Sequence, residues 1–221
     1  MSCGGSEVCL VGGVFRVWEL LLVMTADKNR PFSKDRNGMT LGDGAGILVL
    51  ETLESAQARG AEVLCELVGY ATNSDAGDLL RPNPERATAC MQAAFKDAGL
   101  TSSNIGYVNA HGTGTVANDV TEVAALRVVF GNDFGDLKVS STKPIHGHTL
   151  GAAGAIECIV ATQALRHQMA PPTINFSEID PKIGLDPVVN TASTIKTRSV
   201  MSNSLAFGGI NATLIVSQFD G

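Results

Sequence analysis

The 221-residue chain is short of several things, and each shortage removes a class of function. Its five cysteines, Cys3, Cys9, Cys65, Cys90 and Cys158, are odd in number and never form a CxxC pair, which argues against both a disulfide framework and a zinc ribbon. Basic residues are too few to hold a phosphate backbone: Lys+Arg 16 against Asp+Glu 22 leaves a net charge of −6, so no nucleic-acid partner is expected. The one long apolar stretch near the start, residues 11–24, is interrupted by Arg16 and Glu19. It is too short and too charged to span a bilayer and lacks the basic leader of a signal peptide, so the expectation is a cytoplasmic protein without a membrane partner. Low-complexity segments, charge runs and linkers are missing as well. What remains is a chain with 44% hydrophobic and 17% charged residues and 24 glycines, enough to bury a core and turn often.

Apolar patterning alternates strands with helices. Strands are expected at 45–50 (AGILVL, a buried run), 62–71, 105–109, 137–141, 200–203 and 212–218. Helices are expected at 13–24, at 53–59 before Gly60, at 85–98 before Gly99, at 119–129 with Asp119 as cap and Glu122 in the capping-box position, and at 150–169 before Pro171-Pro172. Residues 143–149 read as a loop. The alternation favours a layered α/β fold.

Three polar clusters follow strands: Asn109-Ala-His111-Gly-Thr113-Gly-Thr115, Lys143-Pro-Ile-His146-Gly-His148, and Ser202-Asn203 with Phe207-Gly208-Gly209. Ligands gather at the carboxyl ends of strands in such folds. Two neutral imidazoles delivered there, His111 and His148, can donate to developing negative charge. Set against this, a histidine after a strand is also an ordinary satisfied core residue. A metal pair at His146 and His148 lacks a third ligand at suitable spacing. His167, in a helix's last turn, reads as structural. Lys143, if buried, needs a carboxylate, and Glu157 is the nearest; the plainer alternative is two solvated side chains.

The strings YVNAHGTGT (107–115), SSTKPIHGHTLGAAGAIE (140–157) and NSLAFGG (203–209), with NRPFSKDRNGMTLGDGAGILVLE (29–51) and PPTINF (171–176), resemble the signatures of β-ketoacyl-[acyl carrier protein] synthases, the elongating condensing enzymes of fatty acid and polyketide synthesis. The resemblance implies a thiolase-like layered fold, here mainly its C-terminal half. It also implies a decarboxylative Claisen condensation of malonyl-carrier protein with an acyl thioester. His111 and His148 match the two catalytic histidines, and Lys143 with Glu157 the pair that orients them. Thr113 and Thr115 match the residues that hold the phosphopantetheine arm, and Phe207 a gate on the acyl pocket. Asn109, Glu157, Ser202 and Asn203 match a monovalent-cation cluster of some relatives. No bound cofactor is implied; the phosphopantetheine of acyl carrier protein enters as a substrate arm. Acyl carrier protein is the implied partner, and the family's full-length members are expected to be homodimers.

The sequence departs from this pattern at one point. The family's nucleophile sits in a Thr-Ala-Cys turn well upstream of the first histidine, and no cysteine occupies such a turn, since Thr88-Ala89-Cys90 falls inside the helix expected at 85–98, where a buried thiol is ordinary. The chain therefore reads as a remnant of the N-terminal half (1–60) followed by a C-terminal half (61–221), with the nucleophile expected elsewhere. Residues 20–23 and 45–50 are then candidates for exposed apolar surface that invites a partner, including a missing N-terminal half. Two other functions compete with an inactive condensing-enzyme piece: a non-catalytic subunit that completes another chain, which the intact histidine signatures disfavour, and a residual malonyl-carrier-protein decarboxylase.

Overall fold

The computed structural model describes residues 23–78 and 80–221. Most of the helix expected at 13–24 and of the surface expected at 20–23, with Cys3 and Cys9, lie outside them; of the described end, Val23 and Met24 are half-buried and Met24 bridges to Met39 instead of joining a helix. From residue 53 onward the elements are α1 (Leu53–Ala58), β1 (Glu66–Ser74), α2 (Pro84–Ala98), β2 (Ile105–Asn109), α3 (Val116–Phe130), β3 (Lys138–Ser140), α4 (Lys143–His146), α5 (Ala153–His167), the short pair β4 (Met169–Ala170) and β5 (Ser193–Thr194), β6 (Ser199–Ala206) and β7 (Ile210–Ser217). The main sheet runs β1-β7-β6-β2-β3. β2 is parallel to both β3 and β6, while β7 is antiparallel to β6 and β1.

Strand alternation divides the core in two. Val108, Met201 and Ile215 face α2 and α3, where they meet Met91, Ala94, Phe95, Val123 and Leu126. Their neighbours Tyr107, Val200 and Val216 face α5 and pack on Cys158, Ala161 and Leu165. Helices thus cover both faces of one mixed sheet, as the alternation of elements implies. α2 begins on Asn83, whose side chain accepts from the N–H groups of Glu85 and Arg86, and ends on Gly99 in the left-handed conformation (φ 65°).

Three expectations need correction. Residues 45–50 join no strand among the described residues; they pass beside α5, with Gly46 so close to Ala155 that a Cβ would stand 2.9 Å from its Cβ. A strand needs a partner ladder, however apolar its sequence, and no described segment offers one. The exposure expected for this stretch is what the structure shows: Ile47 is 86% exposed, and Val49 and Leu50 are open as well. Asp119 is not a helix cap. α3 starts three residues earlier from Thr115, and Asp119 lies buried in its first turn. Finally, residues 143–146 are a helical turn rather than loop, started by Pro144, whose fixed φ suits a first turn.

Candidate active site

Both histidines leave the sheet at one end and meet. β2 delivers His111 two residues beyond Asn109, and α4 delivers His148 through Gly147. The rings stand edge to face, their centroids 5.3 Å apart at 82°. Backbone crossings hold His148 in place. Its N–H donates to Thr40 O at 2.7 Å, and the Gly42 N–H donates to His148 O at 3.2 Å. The crossing needs glycine on both sides: a Cβ on Gly42 would stand 2.0 Å from His146 O, and one on Gly147 2.6 Å from the Gly42 Cα.

Neighbours fix the proton on each ring. Lys143 Nζ lies 3.3 Å from His111 Nδ1, and an ammonium can only donate, so Nδ1 accepts. The Leu150 N–H donates to His148 Nδ1 at 3.2 Å, aimed there because Leu150 adopts the left-handed conformation (φ 51°). In the neutral form both rings therefore carry their proton on Nε2. Burial, reinforced by the Lys143 charge, pushes the His111 pKa well below its ordinary value. The same causes, with His146 added, push His148 down to about 3. The site thus holds two neutral N–H donors at pH 7.

Lys143 is 1% exposed and forms an ion pair with Glu157, itself fully buried, so the solvated alternative for this pair is excluded. Burial raises the Glu157 pKa and the Lys143 charge opposes it.

Two carboxylates that sequence patterning assigned to helix capping serve the site instead. Glu122 accepts from the N–H groups of His111 and Gly112, each at 2.8 Å. Asp119 accepts from the Gly114 N–H at 3.2 Å and the Phe32 N–H at 2.8 Å. The available signal was two acids three positions apart just after a glycine-rich loop, whose backbone donors need acceptors.

His111 and His148 line a cavity of about 750 Å³ together with Thr113, Thr115, Leu205 and Phe207. Thr113 Oγ1 and Thr115 Oγ1 are 2.8 Å apart and hydrogen-bonded. The expected cation ligands gather only in part. Asn109 pairs with Ser202 across β2 and β6, so both face α5, and Asn109 Oδ1 and Glu157 Oε2 are buried acceptors without a partner. Asn203 follows Ser202 on the same strand and must face the other way. Its carboxamide accepts from Thr213 Oγ1 and donates to Met91 Sδ, so its side chain cannot join the other three. His146 bonds Thr142 Oγ1 at 3.1 Å, and no group of three or more His, Cys, Asp or Glu side chains suited to a metal exists among the described residues. Cys65, Cys90 and Cys158 are free thiols, and none of them lines the cavity.

The chain matches the family described as "Beta-ketoacyl synthase, C-terminal domain" over residues 64–177 and "Beta-ketoacyl synthase, N-terminal domain" over residues 1–56. It is 46% identical over 218 residues to Nodulation protein E of Rhizobium leguminosarum bv. trifolii, covering 99% of this chain and 54% of that one. It is 47% identical over 193 residues to 3-oxoacyl-[acyl-carrier-protein] synthase 2 of Staphylococcus aureus (strain COL), covering 86% and 47%. The chain spans about half the length of the curated relatives it matches. Among solved structures it resembles the ishigamide ketosynthase/chain length factor (TM-score 0.89, 42% identity, 93% of this chain and 51% of that one). It also resembles AntDE:AntF, a type II PKS acyl-carrier protein in complex with its ketosynthase bound to the hexaketide (TM-score 0.92, 31% identity, 97% and 55%). These neighbours carry the thiolase-like fold, and the layered α/β architecture here is that fold.

Proposed function

This chain belongs to the β-ketoacyl synthase family, and from that premise we propose that it carries the malonyl-handling side of a decarboxylative Claisen condensation on acyl carrier protein. The observation that carries this reading is the pair of neutral imidazoles whose Nδ1 atoms are both occupied. When malonyl-carrier protein loses CO2, negative charge collects on the thioester oxygen of the enolate, and two Nε2–H donors on one cavity wall stabilise it. Lys143 and Glu157 hold His111 in orientation. Thr113 and Thr115 take the phosphopantetheine arm, and Phe207 closes over the acyl end of the cavity. Asn109 and Glu157, with unpartnered oxygens on the α5 side of the sheet, and Ser202 beside Asn109 are the ligands on offer to a monovalent cation. Their chemistry fits one: two buried oxygen acceptors, one of them a carboxylate.

The acyl-accepting cysteine is supplied from outside these 221 residues. Three of the five cysteines stand away from the cavity, and Cys90, although preceded by Thr88-Ala89, is buried within α2. We place the protein in the cytoplasm, in line with the want of a helix long and apolar enough to cross a membrane among the described residues.

Two measurements test the reading. Incubation with malonyl-[acyl carrier protein] should release CO2, and His111→Ala or His148→Ala should abolish it; a folded wild-type chain that releases none would instead be the non-catalytic partner of another chain. Intact-mass analysis after incubation with acyl-[acyl carrier protein] should show an unmodified chain. A hydroxylamine-labile adduct on any of the five cysteines would overturn the claim that the nucleophile lies elsewhere.

A further inference from the structure

The stretch His111-Gly112-Thr113-Gly114-Thr115 between β2 and α3 finds its backbone partners on three separate elements. Glu122 and Asp119 of α3 accept from the N–H groups of His111, Gly112 and Gly114. Ser141, just after β3, donates its hydroxyl to Gly112 O at 2.7 Å. The carbonyls of Thr113 and Gly114 are taken by a strap formed by residues 29–38. Asn29 Nδ2 donates to Thr113 O at 2.7 Å, and the Gly38 N–H donates to Gly114 O at 3.0 Å. The same carboxamide nitrogen also donates to Gly38 O at 2.9 Å. One buried NH2 group, on a residue only 4% exposed, thus ties the strap to itself and to a loop 84 positions away.

Only one orientation of that carboxamide works. No donor reaches Asn29 Oδ1, and turning the group over would set this oxygen against two carbonyl oxygens. The loop makes room for it: a Cβ on Gly114 would stand 2.5 Å from Asn29 Nδ2. Holding the Thr113 carbonyl fixes the peptide plane beside the Thr113 side chain, whose hydroxyl pairs with that of Thr115 on the cavity wall. Asn29 itself does not line the cavity.

We propose that Asn29 is the positioning residue for the Thr113–Thr115 hydroxyl pair, keeping it in register for the polar arm of the carrier-protein thioester. This rests on the reading of those hydroxyls given above. Asn29 touches no substrate; it acts through the Thr113 carbonyl.

The test titrates the full chain with pantetheine 4′-phosphate, followed by calorimetry, for the wild type, Asn29→Ala, Thr113→Val and the double variant. Wild type binds, and Asn29→Ala weakens binding about tenfold, the loss expected when a buried carbonyl is left without its donor. The double variant binds less weakly than the product of the two single effects, because Asn29 acts through Thr113. Should Asn29→Ala fail to fold, Asn29→Ser, with a smaller donor, carries the same cycle. A folded Asn29 variant that binds as wild type, or whose effect multiplies with that of Thr113→Val, overturns the role of Asn29 while the hydroxyl reading stands. A wild type that does not bind, or a Thr113→Val that binds equally well, overturns the hydroxyl reading and this proposal with it.

Discussion

His148 stays neutral because burial denies an imidazolium its water and Lys143 repels it. That has a measurable consequence for stability. Unfolded, the ring titrates near 6.5; folded, it titrates near 3. Between these values the unfolded chain holds a proton that the folded chain does not, so stability is lost as pH falls from about 6.5 toward 3. In urea melts at pH 7 and pH 4.5, wild type should lose about 2 kcal/mol more over that interval than His148→Gln. Equal losses would mean that the ring is not held neutral. Lys143 and Glu157 set a second test at the same scale. Lys143→Met leaves a carboxylate buried and alone, and should cost about 3–5 kcal/mol; Lys143→Met with Glu157→Leu removes both charges and should recover much of that loss. Chemical denaturation of the three proteins distinguishes a paired buried charge from two independent ones.

Gly42 shows what an element asks of a single position. The segment around Gly42 and the turn at Gly147 cross at backbone distance, and His148 follows directly. Gly42→Ala should therefore displace α4 and its histidine, lowering the melting temperature and removing decarboxylation together; full decarboxylation by a folded Gly42→Ala protein would show that the crossing tolerates movement. Elements differed in how far their residues announced them. α2 is legible at both ends, since Asn83-Pro84 starts it and Gly99 stops it by local chemistry. β2 is legible because five mostly apolar residues run straight into His111. The stretch 45–50 misleads because AGILVL records suitability for a ladder, whereas a strand also needs a neighbour at hydrogen-bonding distance. Asp119 and Glu122 mislead for a related reason: local rules assign acids near a helix start to the helix's own donors. Here the nearer need is the loop before it, which only the folded chain brings within 3 Å or so of their oxygens. The two histidines were visible from their glycine-flanked positions after strands, but the proton on each ring was not, since it depends on Lys143 and on the left-handed turn at Leu150.

At the scale of the whole molecule, an apolar strip stands open among the described residues. Ile47, Val49 and Leu50 stand open beside α1, where Leu53 is exposed too. A strip of this kind drives association. Sedimentation should show the 221-residue chain self-associating at micromolar concentration, and Ile47→Lys with Val49→Lys should shift it toward monomer without lowering the melting temperature. Sedimentation unchanged by the double substitution would place the association elsewhere.

The pairing of Asn109 with Ser202 joins strands about ninety residues apart in sequence, and the neighbouring strand β7 closes back on β1 over a still longer span. A chain must give up most of its loop entropy before such a parallel ladder returns anything. Helices α2, α3 and α5 can form early, but the wall on which His111 meets His148 exists only once β6 has slotted beside β2. Refolding should accordingly be slow, on the millisecond-to-second scale of non-local sheets, and the histidine pair should be among the last features of the molecule to assemble.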